Sequence, residues 1–328
     1  MPVVCHEGQS VELAEGQSVL DALLAQGVPV PYACRAGICQ SCLMRAVEGQ
    51  PPASSQQGLK ETLRLQNYFL ACVCHPTENL RVALPSAQEL NVPATVTGLR
   101  RLNAEIIELT LMAHAPLDYR AGQFIAVINK DTGQGRSYSL ASVPGEEESL
   151  HLHVRRLPGG RISGWIHEEL RAGQTIEIRG PAGDCFYVPG RPEQPLLLIG
   201  TGSGLAPLYG ILRDALARGH WGPIRLFHGS RNAGGIYLRN ELRELARRHP
   251  RFDYVPCLSG PDISPGYASG RAHDAALAEV PDLKGWRVFL CGHPDMVQQA
   301  QMRAYLAGAS LQEIHADAFQ SNHAGAAS

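Results

Sequence analysis

Residues 32–42 read YACRAGICQSC, and this stretch holds three of the nine cysteines of the chain, at positions 34, 39 and 42. Two more follow at Cys72 and Cys74, in the segment FLACVC. In a reducing compartment, cysteines grouped this closely indicate metal or redox chemistry more than disulfides. The segment from Val3 to about Leu84 is therefore interpreted as a region organised around a cysteine-rich loop.

The order Cys-x4-Cys-x2-Cys with a distant fourth cysteine is typical of a plant-type [2Fe–2S] cluster held by four thiolates. Gly37 lets backbone amides turn toward the inorganic sulfurs, and Arg35 places a positive charge nearby. A structural zinc site prefers two Cys-x2-Cys pairs, and this loop has one. A Rieske centre needs two histidine ligands, whereas His75 stands alone beside the later cysteines. The pattern therefore favours the [2Fe–2S] cluster.

The bulk composition sets limits on the function. With 328 residues, the chain has room for two or three domains. Its formal net charge of −2 gives no general argument for binding nucleic acid or anionic lipid. The first residues lack the basic and apolar regions of a signal peptide. The longest uncharged apolar stretch, residues 195–212, is interrupted by glycines. We therefore expect a cytoplasmic protein without a membrane span.

Two further segments differ from the first in their pattern of apolar residues. Between residues 92 and 190, apolar residues alternate at positions 124, 126 and 128 and at positions 150, 152 and 154, the period-2 pattern of half-buried strands. Residues 84–93, with prolines bracketing polar residues, are interpreted as a linker before this segment.

From Pro195 onward, predicted strands and helices take turns, which is typical of a parallel, doubly wound sheet. The strands are expected near 196–200, 224–229, 252–258, 287–291 and 311–316, and the helices near 205–218, 236–249, 272–279 and 294–307. The second helix ends in Arg247, Arg248 and His249, which suit a helix C-terminus, and Pro250 stops it. The tail after Phe319 is expected to be disordered.

The two cysteine segments, YACRAGICQSC and FLACVC, resemble the ferredoxin module of reductases that serve bacterial multicomponent oxygenases. The resemblance implies Cys34, Cys39, Cys42 and Cys72 as cluster ligands, because a Leu-x-Cys after the long gap favours Cys72 over Cys74. The later motifs extend it over nearly the whole chain. It implies a β-grasp-like α+β ferredoxin domain at 1–85, an antiparallel β-barrel flavin domain at 92–190, an α/β doubly wound parallel-sheet nicotinamide domain at 191–320, and a disordered tail at 321–328.

The segment Arg136-Ser137-Tyr138-Ser139 resembles the flavin motif of the ferredoxin–NADP reductase superfamily. The resemblance implies that Arg136 pairs with the phosphate of FAD, Tyr138 packs on the isoalloxazine, and Ser139 hydrogen-bonds near its reactive nitrogen. Arginine matches a phosphate geometrically, and an aromatic ring suits a flavin face. FMN stays an alternative, although relatives that use FMN usually carry the ferredoxin module at the other end.

A second flavin segment, residues 158–163 (PGGRIS), offers bare amides and a helix N-terminus to a pyrophosphate. The predicted contacts in it are Gly159, Gly160, Arg161, Ile162 and Ser163. Residues 180–183 (GPAG) are a weaker match. The histidines at 151 and 153 share one strand face, and without an evident third ligand they are interpreted as strand residues, with His153 at best lining the flavin site.

The nicotinamide segment begins with a buried strand that runs into GTGSGLAP, residues 200–207, which resembles the nicotinamide-binding loop of the same superfamily. The loop at 291–296 (CGHPDM) resembles the family's Cys-Gly-x-Pro-x-Met, whose cysteine lies near the nicotinamide C4. These loops would follow parallel strands, where open α/β sheets bind ligands. The predicted coenzyme contacts are Gly200, Thr201, Gly202, Ser203, Gly204, Ser230, Arg231, Cys291, Gly292, Pro294 and Met296.

The coenzyme is expected to be NADH, with NADPH as the alternative, because Ser230 and Arg231 with Tyr237 could bind a 2′-phosphate. Asp317 and Phe319 align with the superfamily's near-terminal acid-x-aromatic, in which the acid is usually Glu. The predicted catalytic residues are Ser139, Cys291, Asp317 and Phe319.

The three modules imply a reductase that passes electrons from NADH through FAD to the [2Fe–2S] cluster and on to a partner oxygenase or hydroxylase component. The cluster edge, around residues 35–41, is expected to face that acceptor. One alternative is a reductase for sugar deoxygenation, whose members share this module order. Others are a redox sensor without turnover and a subunit of the sodium-pumping quinone reductase. Intact motifs disfavour the sensor, and the N-terminal anchor expected of the subunit is not seen in this sequence.

Overall fold

The structure is a computed structural model that describes residues 1–85, 91–261 and 265–319. The chain divides into two compact units, Met1–Glu89 and Leu90–Ser328. The middle of the predicted linker, residues 86–90, and the predicted disordered tail, residues 321–328, lie outside the described residues.

The first unit is a mixed five-stranded sheet in the order β2-β1-β5-β3-β4, in which β1 and β5 run parallel. Its elements are β1 (Val3–His6), β2 (Gln9–Glu12), α1 (Val19–Ala25), β3 (Leu43–Glu48), α2 (Glu61–Leu65), β4 (Tyr68–Leu70) and β5 (Leu80–Ala83). Ser18 caps α1 by accepting a hydrogen bond from the Asp21 amide. The helix buries Val19, Leu20 and Leu23 against the sheet core. This arrangement confirms an α+β first domain.

The second unit begins with an antiparallel sheet in the order β10-β7-β6-β11-β8-β9. Its elements are β6 (Val92–Arg101), β7 (Ile106–Ala113), β8 (Phe124–Ile128), β9 (Gly135–Ser139), β10 (Leu150–Arg155), α3 (Arg161–Glu168) and β11 (Thr175–Ala182). A bridge between Leu140 and Leu152 joins the two edges, so the sheet closes on itself.

The predicted alternation holds in β10, where Leu150, Leu152 and Val154 are buried. It is wrong for two of the three positions in β8, where Ile125, Val127 and Ile128 are buried while Phe124 and Ala126 are half-buried. Both faces of β8 are apolar, so the sequence pattern did not distinguish them.

The rest of the second unit is a parallel sheet in the order β15-β14-β13-β12-β16-β17, flanked by helices. Its elements are β12 (Leu196–Thr201), α4 (Leu205–Ala217), β13 (Ile224–Ser230), α5 (Arg239–Arg248), β14 (Phe252–Leu258), β15 (Ala268–Ser269), α6 (Ala272–Glu279), β16 (Arg287–Gly292), α7 (Pro294–Leu306) and β17 (Ile314–Ala318). The chain leaves β12 toward β13 and later returns to its other side as β16. The carboxyl ends of β12 and β16 therefore flank a topological switch point, where sheets of this kind bind ligands.

Two predicted elements begin three residues later in the structure, and one strand was not predicted. Helix α5 begins at Arg239 rather than 236, because Leu238 adopts a left-handed conformation with φ 51°. Strand β17 begins at Ile314 rather than 311, because Leu311–Glu313 form a 3-10 turn capped by Ser310. The short strand β15 was not predicted. None of the helices in the described part of the chain has the length and apolar character that spanning a bilayer requires.

Candidate functional site

The second unit contains a large cleft of about 2240 Å³. It lies where β9 and α3 of the antiparallel sheet approach the carboxyl ends of β12, β13, β16 and β17. Most of the predicted site residues line it: Arg136, Ser137, Tyr138, Ser139, His153, Gly159, Gly160, Arg161, Ile162, Ser163, Thr201, Gly202, Ser203, Ser230, Arg231, Gly292, Pro294, Met296, Asp317 and Phe319. Gly200, Gly204 and Cys291 lie behind this wall.

Strand β9 forms one wall of the cleft. It pairs with β8 so that Ser139 lies opposite Phe124, and both residues line the cleft. Tyr138 is half-buried, and burial raises the pKa of its phenol well above the ordinary value, so the side chain stays neutral. Arg136 is exposed and its guanidinium carries no carboxylate partner among the ion pairs of the described residues. The wall therefore presents an apolar ring beside an available cation.

The N-terminus of α3 forms the adjoining part of the wall. Its N-cap is Gly160, which has no side chain to cap the helix. The hydroxyl of Ser163 is engaged elsewhere, since it accepts a hydrogen bond from the Leu157 amide and donates one to the Gly160 carbonyl. A Cβ at position 160 would lie 2.5 Å from Ser163 Oγ. The first-turn amides thus remain open toward the cleft, which suits a pyrophosphate.

Asp317 connects the two walls. Its Oδ2 accepts a hydrogen bond of 3.2 Å from Ser139 Oγ, although the two residues are distant in sequence. Burial raises the pKa of the Asp317 carboxyl, and the Ser139 hydroxyl opposes that effect. Beyond it, Phe319 donates its backbone amide to the Gly292 carbonyl at 2.8 Å and lines the cleft.

The glycine loop after β12 is interlocked with the loop after β16. A Cβ on Gly204 would lie 2.2 Å from the Cys291 carbonyl oxygen. Gly292 has φ 126°, and a Cβ there would lie 2.6 Å from the Thr201 carbonyl oxygen. The His293 amide donates to Thr201 Oγ1 at 3.1 Å. Glycine at 204 and 292 is therefore required by close backbone approach.

Cys291 is fully buried, and its Sγ lies 3.7 Å from Sγ of Cys185. Burial raises the pKa of the Cys291 thiol, so it is protonated. The side chain does not line the cleft, whereas the next residue, Gly292, does. Its predicted place beside the nicotinamide stays a prediction.

The C-terminal end of β13 carries the residues considered for the choice between NADH and NADPH. Ser230 and the exposed Arg231 both line the cleft. The interpretation that Tyr237 contributes to a phosphate site is wrong, because the side chain is 2% exposed and its hydroxyl lies 3.1 Å from His153 Nδ1.

The cysteine loop lies in the first unit. The Cys34 thiol accepts backbone hydrogen bonds from Ala36 and Cys39 at 3.3 and 3.4 Å, so amides already point at a ligand sulfur. Arg35, Gly37 and Gln40 have positive φ, which turns the loop this way. A hydrogen bond from Ser41 is the main cause that lowers the pKa of Cys39 to about 6, which favours the thiolate.

Cys72 and Cys74 have different surroundings. Cys72 is partly exposed and close enough to Cys42 to contribute to the pKa of that thiol, which burial raises to about 11. Cys74 is fully buried in the core, and burial raises the pKa of its thiol to about 12. In the described residues, no three His, Cys, Asp or Glu side chains are arranged around a single metal ion. A [2Fe–2S] cluster needs two thiolates per iron, and the interacting thiols of Cys34 with Cys39 and of Cys42 with Cys72 fit that requirement.

Sequence reasoning missed several residues of the cleft. Asn103, Arg155, Arg271 and His293 also line it. Arg271 follows β15, a strand too short to show a periodic pattern. Asn103 was hidden in a turn, where its side chain accepts from two nearby amides and donates to the Gly235 carbonyl.

Comparison with protein families assigns each part of the chain. Residues 3–77 match a 2Fe-2S iron-sulfur cluster binding domain, residues 94–187 an oxidoreductase FAD-binding domain, and residues 198–302 an oxidoreductase NAD-binding domain. The chain is 36% identical to the reductase subunit of an aromatic O-demethylase from Amycolatopsis sp., with 95% of this chain and 96% of that protein covered. It belongs to the reductase components of oxygenase systems. The predicted family and the three predicted cofactors, a [2Fe–2S] cluster, FAD and a nicotinamide coenzyme, are thereby confirmed.

Other relatives agree with this assignment. The reductase is 30% identical to the ferredoxin–NAD(P)(+) reductase component of a naphthalene 1,2-dioxygenase system from Pseudomonas putida, covering 94% of this chain and 95% of that one. A solved cytochrome P450 reductase from Amycolatopsis superposes with a TM-score of 0.69 at 33% identity, covering 98% and 99% of the two chains. The fold class is thereby confirmed. A deoxysugar dehydrase reductase from Yersinia pestis is 28% identical over 97% of this chain and 98% of its own, so the sugar alternative is less supported.

Proposed function

We propose that this reductase takes hydride from NADH in the cleft of the second unit and delivers single electrons from the cysteine loop of the first unit to a terminal oxygenase. The observation that carries the proposal is that the flavin motif, the glycine loop and Asp317 meet in one cleft. When bound, FAD accepts two electrons at once from the nicotinamide and releases them one at a time to the one-electron cluster.

The residues of the flavin wall have separate proposed roles. The exposed Arg136 and the open amides of α3 bind the FAD phosphates, since both are suited to anions. The neutral ring of Tyr138 packs on the flavin ring system. The amides of Gly159 to Ser163 and the side chain of Arg161 complete the phosphate contacts.

Ser139 and Asp317 are proposed to hold a proton beside the flavin. Hydride brings one proton with its two electrons, so one proton must leave after both electrons have been passed on. The Ser139 hydroxyl donates to Asp317 Oδ2, and the raised pKa of this carboxyl favours its protonated form. Phe319, which follows β17, lines the same cleft and is proposed to cover the flavin.

The coenzyme is proposed to bind across the switch point, on the glycine loop of Thr201, Gly202 and Ser203 and on Gly292, Pro294 and Met296. Cys291 and Gly204 act from behind by holding the two loops together. Arg231 is proposed to decide how well NADPH competes with NADH, because its cation is free to reach a 2′-phosphate at the end of β13.

The cluster is proposed to be held by Cys34, Cys39, Cys42 and Cys72. The surface between the first two ligands carries Ile38, which is 79% exposed. An exposed apolar side chain beside Cys39 suits a short-lived contact with an acceptor protein. The relatives named above serve an aromatic O-demethylase and a naphthalene dioxygenase, and an oxygenase of aromatic compounds is the proposed acceptor.

The test is an anaerobic titration of the purified protein with NADH and, in parallel, with NADPH. Visible absorption follows the flavin, and low-temperature EPR follows the cluster, with dithionite as the reference for full reduction. We expect flavin bleaching together with the EPR signal of a reduced [2Fe–2S] cluster at lower concentrations of NADH than of NADPH. Flavin bleaching without a cluster signal, with iron absent on analysis, would contradict the electron path proposed here.

A further inference from the structure

A row of mostly buried polar side chains reaches the cleft at His153, and the function proposed above does not use it. It starts on the antiparallel sheet, where Glu108 is the cross-strand neighbour of both Arg100 and His153. Arg100 pairs with Glu108 through two contacts, of 3.1 and 3.4 Å. His153, with a fully buried side chain, places its Nε2 3.8 Å from Glu108 Oε2.

The row continues into the nicotinamide-binding part of the unit. His153 Nδ1 lies 3.1 Å from the hydroxyl of Tyr237. Tyr237 directly precedes Leu238, the N-cap of α5. The Tyr237 ring is wedged edge-on between two imidazoles, with centroid distances of 5.3 Å to His153 and 5.4 Å to His228. His228 in turn approaches the Tyr254 hydroxyl at 3.3 Å. Tyr237 thus joins a strand of the flavin sheet to a strand of the parallel sheet.

The protons in this row can be assigned from charge. Glu108 has a pKa far below its ordinary value, since His151, His153 and Arg100 outweigh its burial, and its carboxylate can only accept hydrogen bonds. Burial lowers the pKa of His153, so its imidazole is neutral. Nε2 lies 3.8 Å from Glu108 Oε2 without a hydrogen bond, and the carboxylate charge favours the tautomer with the proton on Nε2. In that tautomer Nδ1 accepts the hydrogen bond that Tyr237 donates.

The backbone also indicates that Tyr237 is held in a required position. Leu238 has φ 51° and ψ 25°, a conformation that a bulky side chain rarely adopts. The preceding loop is fixed to the flavin sheet at a second point, because Asn103 donates to the Gly235 carbonyl at 3.2 Å. The same loop begins with two residues that line the cleft. These are Ser230, the last residue of β13, and Arg231.

We propose that His153 and Tyr237 are positioning residues for hydride transfer, which fix the coenzyme loop at residues 230–235 relative to the flavin sheet. This inference rests on the function proposed above. The donor and acceptor atoms of a hydride transfer must be held within a narrow range of distance, and the two ligands are bound by different sheets. The hydrogen bond between His153 and Tyr237 joins those sheets at the edge of the cleft. His153 borders the cleft, but its side chain is fully buried, so the proposed role is exercised through Tyr237.

The chain offers a matched control in Tyr187. It also makes a buried edge-on pair with a histidine, with 5.6 Å between the ring centroids of Tyr187 and His220 and 3.2 Å between the hydroxyl and Nδ1. Neither residue lines the cleft. Tyr187→Phe therefore removes a similar hydrogen bond outside the cleft.

The experiment uses the full-length protein with its cofactors and follows flavin reduction by NADH in an anaerobic stopped-flow instrument. We expect Tyr237→Phe to lower the limiting rate of flavin reduction by roughly tenfold or more. The FAD content and melting temperature should match those of Tyr187→Phe, whose limiting rate stays at the wild-type value. The long-wavelength flavin–nicotinamide charge-transfer absorption should weaken in Tyr237→Phe alone, and the isotope effect with NADH deuterated at C4 should stay fully expressed.

Two variants of His153 extend the test. His153→Asn keeps an acceptor close to the position of Nδ1 and should retain most of the limiting rate, whereas His153→Leu should be as slow as Tyr237→Phe. The double variant His153→Leu/Tyr237→Phe should be no slower than either one. A wild-type rate in Tyr237→Phe, or an equal slowing in Tyr187→Phe, overturns the inference. A wild-type protein whose flavin is reduced by neither NADH nor NADPH overturns the proposed function before any variant is measured.

Discussion

Cys72 and Cys74 lie two positions apart, yet their side chains are in different environments. Cys72 is partly exposed near Cys42, and Cys74 is packed in the core of the first unit. We predict that Cys72→Ser abolishes the cluster EPR signal and loses iron. In contrast, Cys74→Ala should keep both and lose about 1–3 kcal/mol of unfolding free energy, since it leaves a small cavity. Iron content, EPR and urea unfolding measure these effects, and loss of iron from Cys74→Ala alone would reverse the ligand choice.

Asp317 gives a second prediction, on the dependence of stability on pH. Because burial raises the pKa of this carboxyl in the folded protein, the native state binds more protons than the unfolded state between the ordinary value of about 3.9 and the raised one. Its contribution to stability is therefore lost as the pH rises through the folded pKa. Asp317→Asn should be more stable than the wild type at neutral pH, and this difference should vanish near pH 4.

Denaturant unfolding at a series of pH values measures the effect. The exposed Asp131 supplies the control, since Asp131→Asn makes the same substitution at the surface, outside the cleft. If Asp317→Asn and Asp131→Asn give parallel curves, the carboxyl of Asp317 does not carry the expected shift.

The contact between the loops after β12 and β16 determines what Gly204 tolerates. A Cβ at this position would lie 2.2 Å from the Cys291 carbonyl oxygen, so the backbone of one loop must move. Gly204→Ala should weaken NADH binding by roughly tenfold or more and destabilise the protein by about 1–3 kcal/mol. In Gly98→Ala the new Cβ would find Thr110 at 3.7 Å, an ordinary contact, and both quantities should stay near wild type. Equal effects of the two substitutions would contradict the requirement for close backbone approach.

At the scale of elements, the sequence predicted most strands and helices of the parallel sheet because their apolar runs are bounded by glycine and proline. It failed where local pattern carries no information. Strand β8 is apolar on both faces, so only its pairing with β9 and β11 determines that Ile125 and Val127 are buried. The start of α5 depends on the left-handed Leu238, which is held by tertiary contacts rather than by its own propensity.

The candidate site shows the same division. Motifs with several residues in fixed order, such as RSYS and GTGSGLAP, predicted walls of the cleft that the structure brings together. The burial of Tyr237 behind His153 was not predictable, because the contact joins residues from two different sheets. The same is true of Cys185, whose proximity to Cys291 depends on how the end of the antiparallel sheet meets β16.

At the scale of the whole molecule, the two units differ in what they are proposed to do. Each has a hydrophobic core of its own, and the cleft lies entirely within the second unit. A protein limited to residues 91–328 should therefore fold, bind FAD and reduce ferricyanide with NADH at close to the wild-type rate. It should lose the reduction of cytochrome c and of the oxygenase component, both of which need the cluster.

Steady-state assays with the two acceptors measure this difference, and the full-length Cys72→Ser variant is the control because it keeps the first unit without its cluster. The two proteins should behave alike. Cytochrome c reduction that persists in both would show that electrons leave from the flavin directly.

The approach of Gly204 to the Cys291 carbonyl also bears on inheritance. The two backbones are in contact and leave no room for a methyl group. Any residue other than glycine at position 204 would therefore be selected against. The exposed Ile38, which is proposed to contact the acceptor, can be exchanged in descendants of this sequence without disturbing the contact at Gly204. Glycine at 204 should therefore persist through lineages whose oxygenases and substrates have diverged.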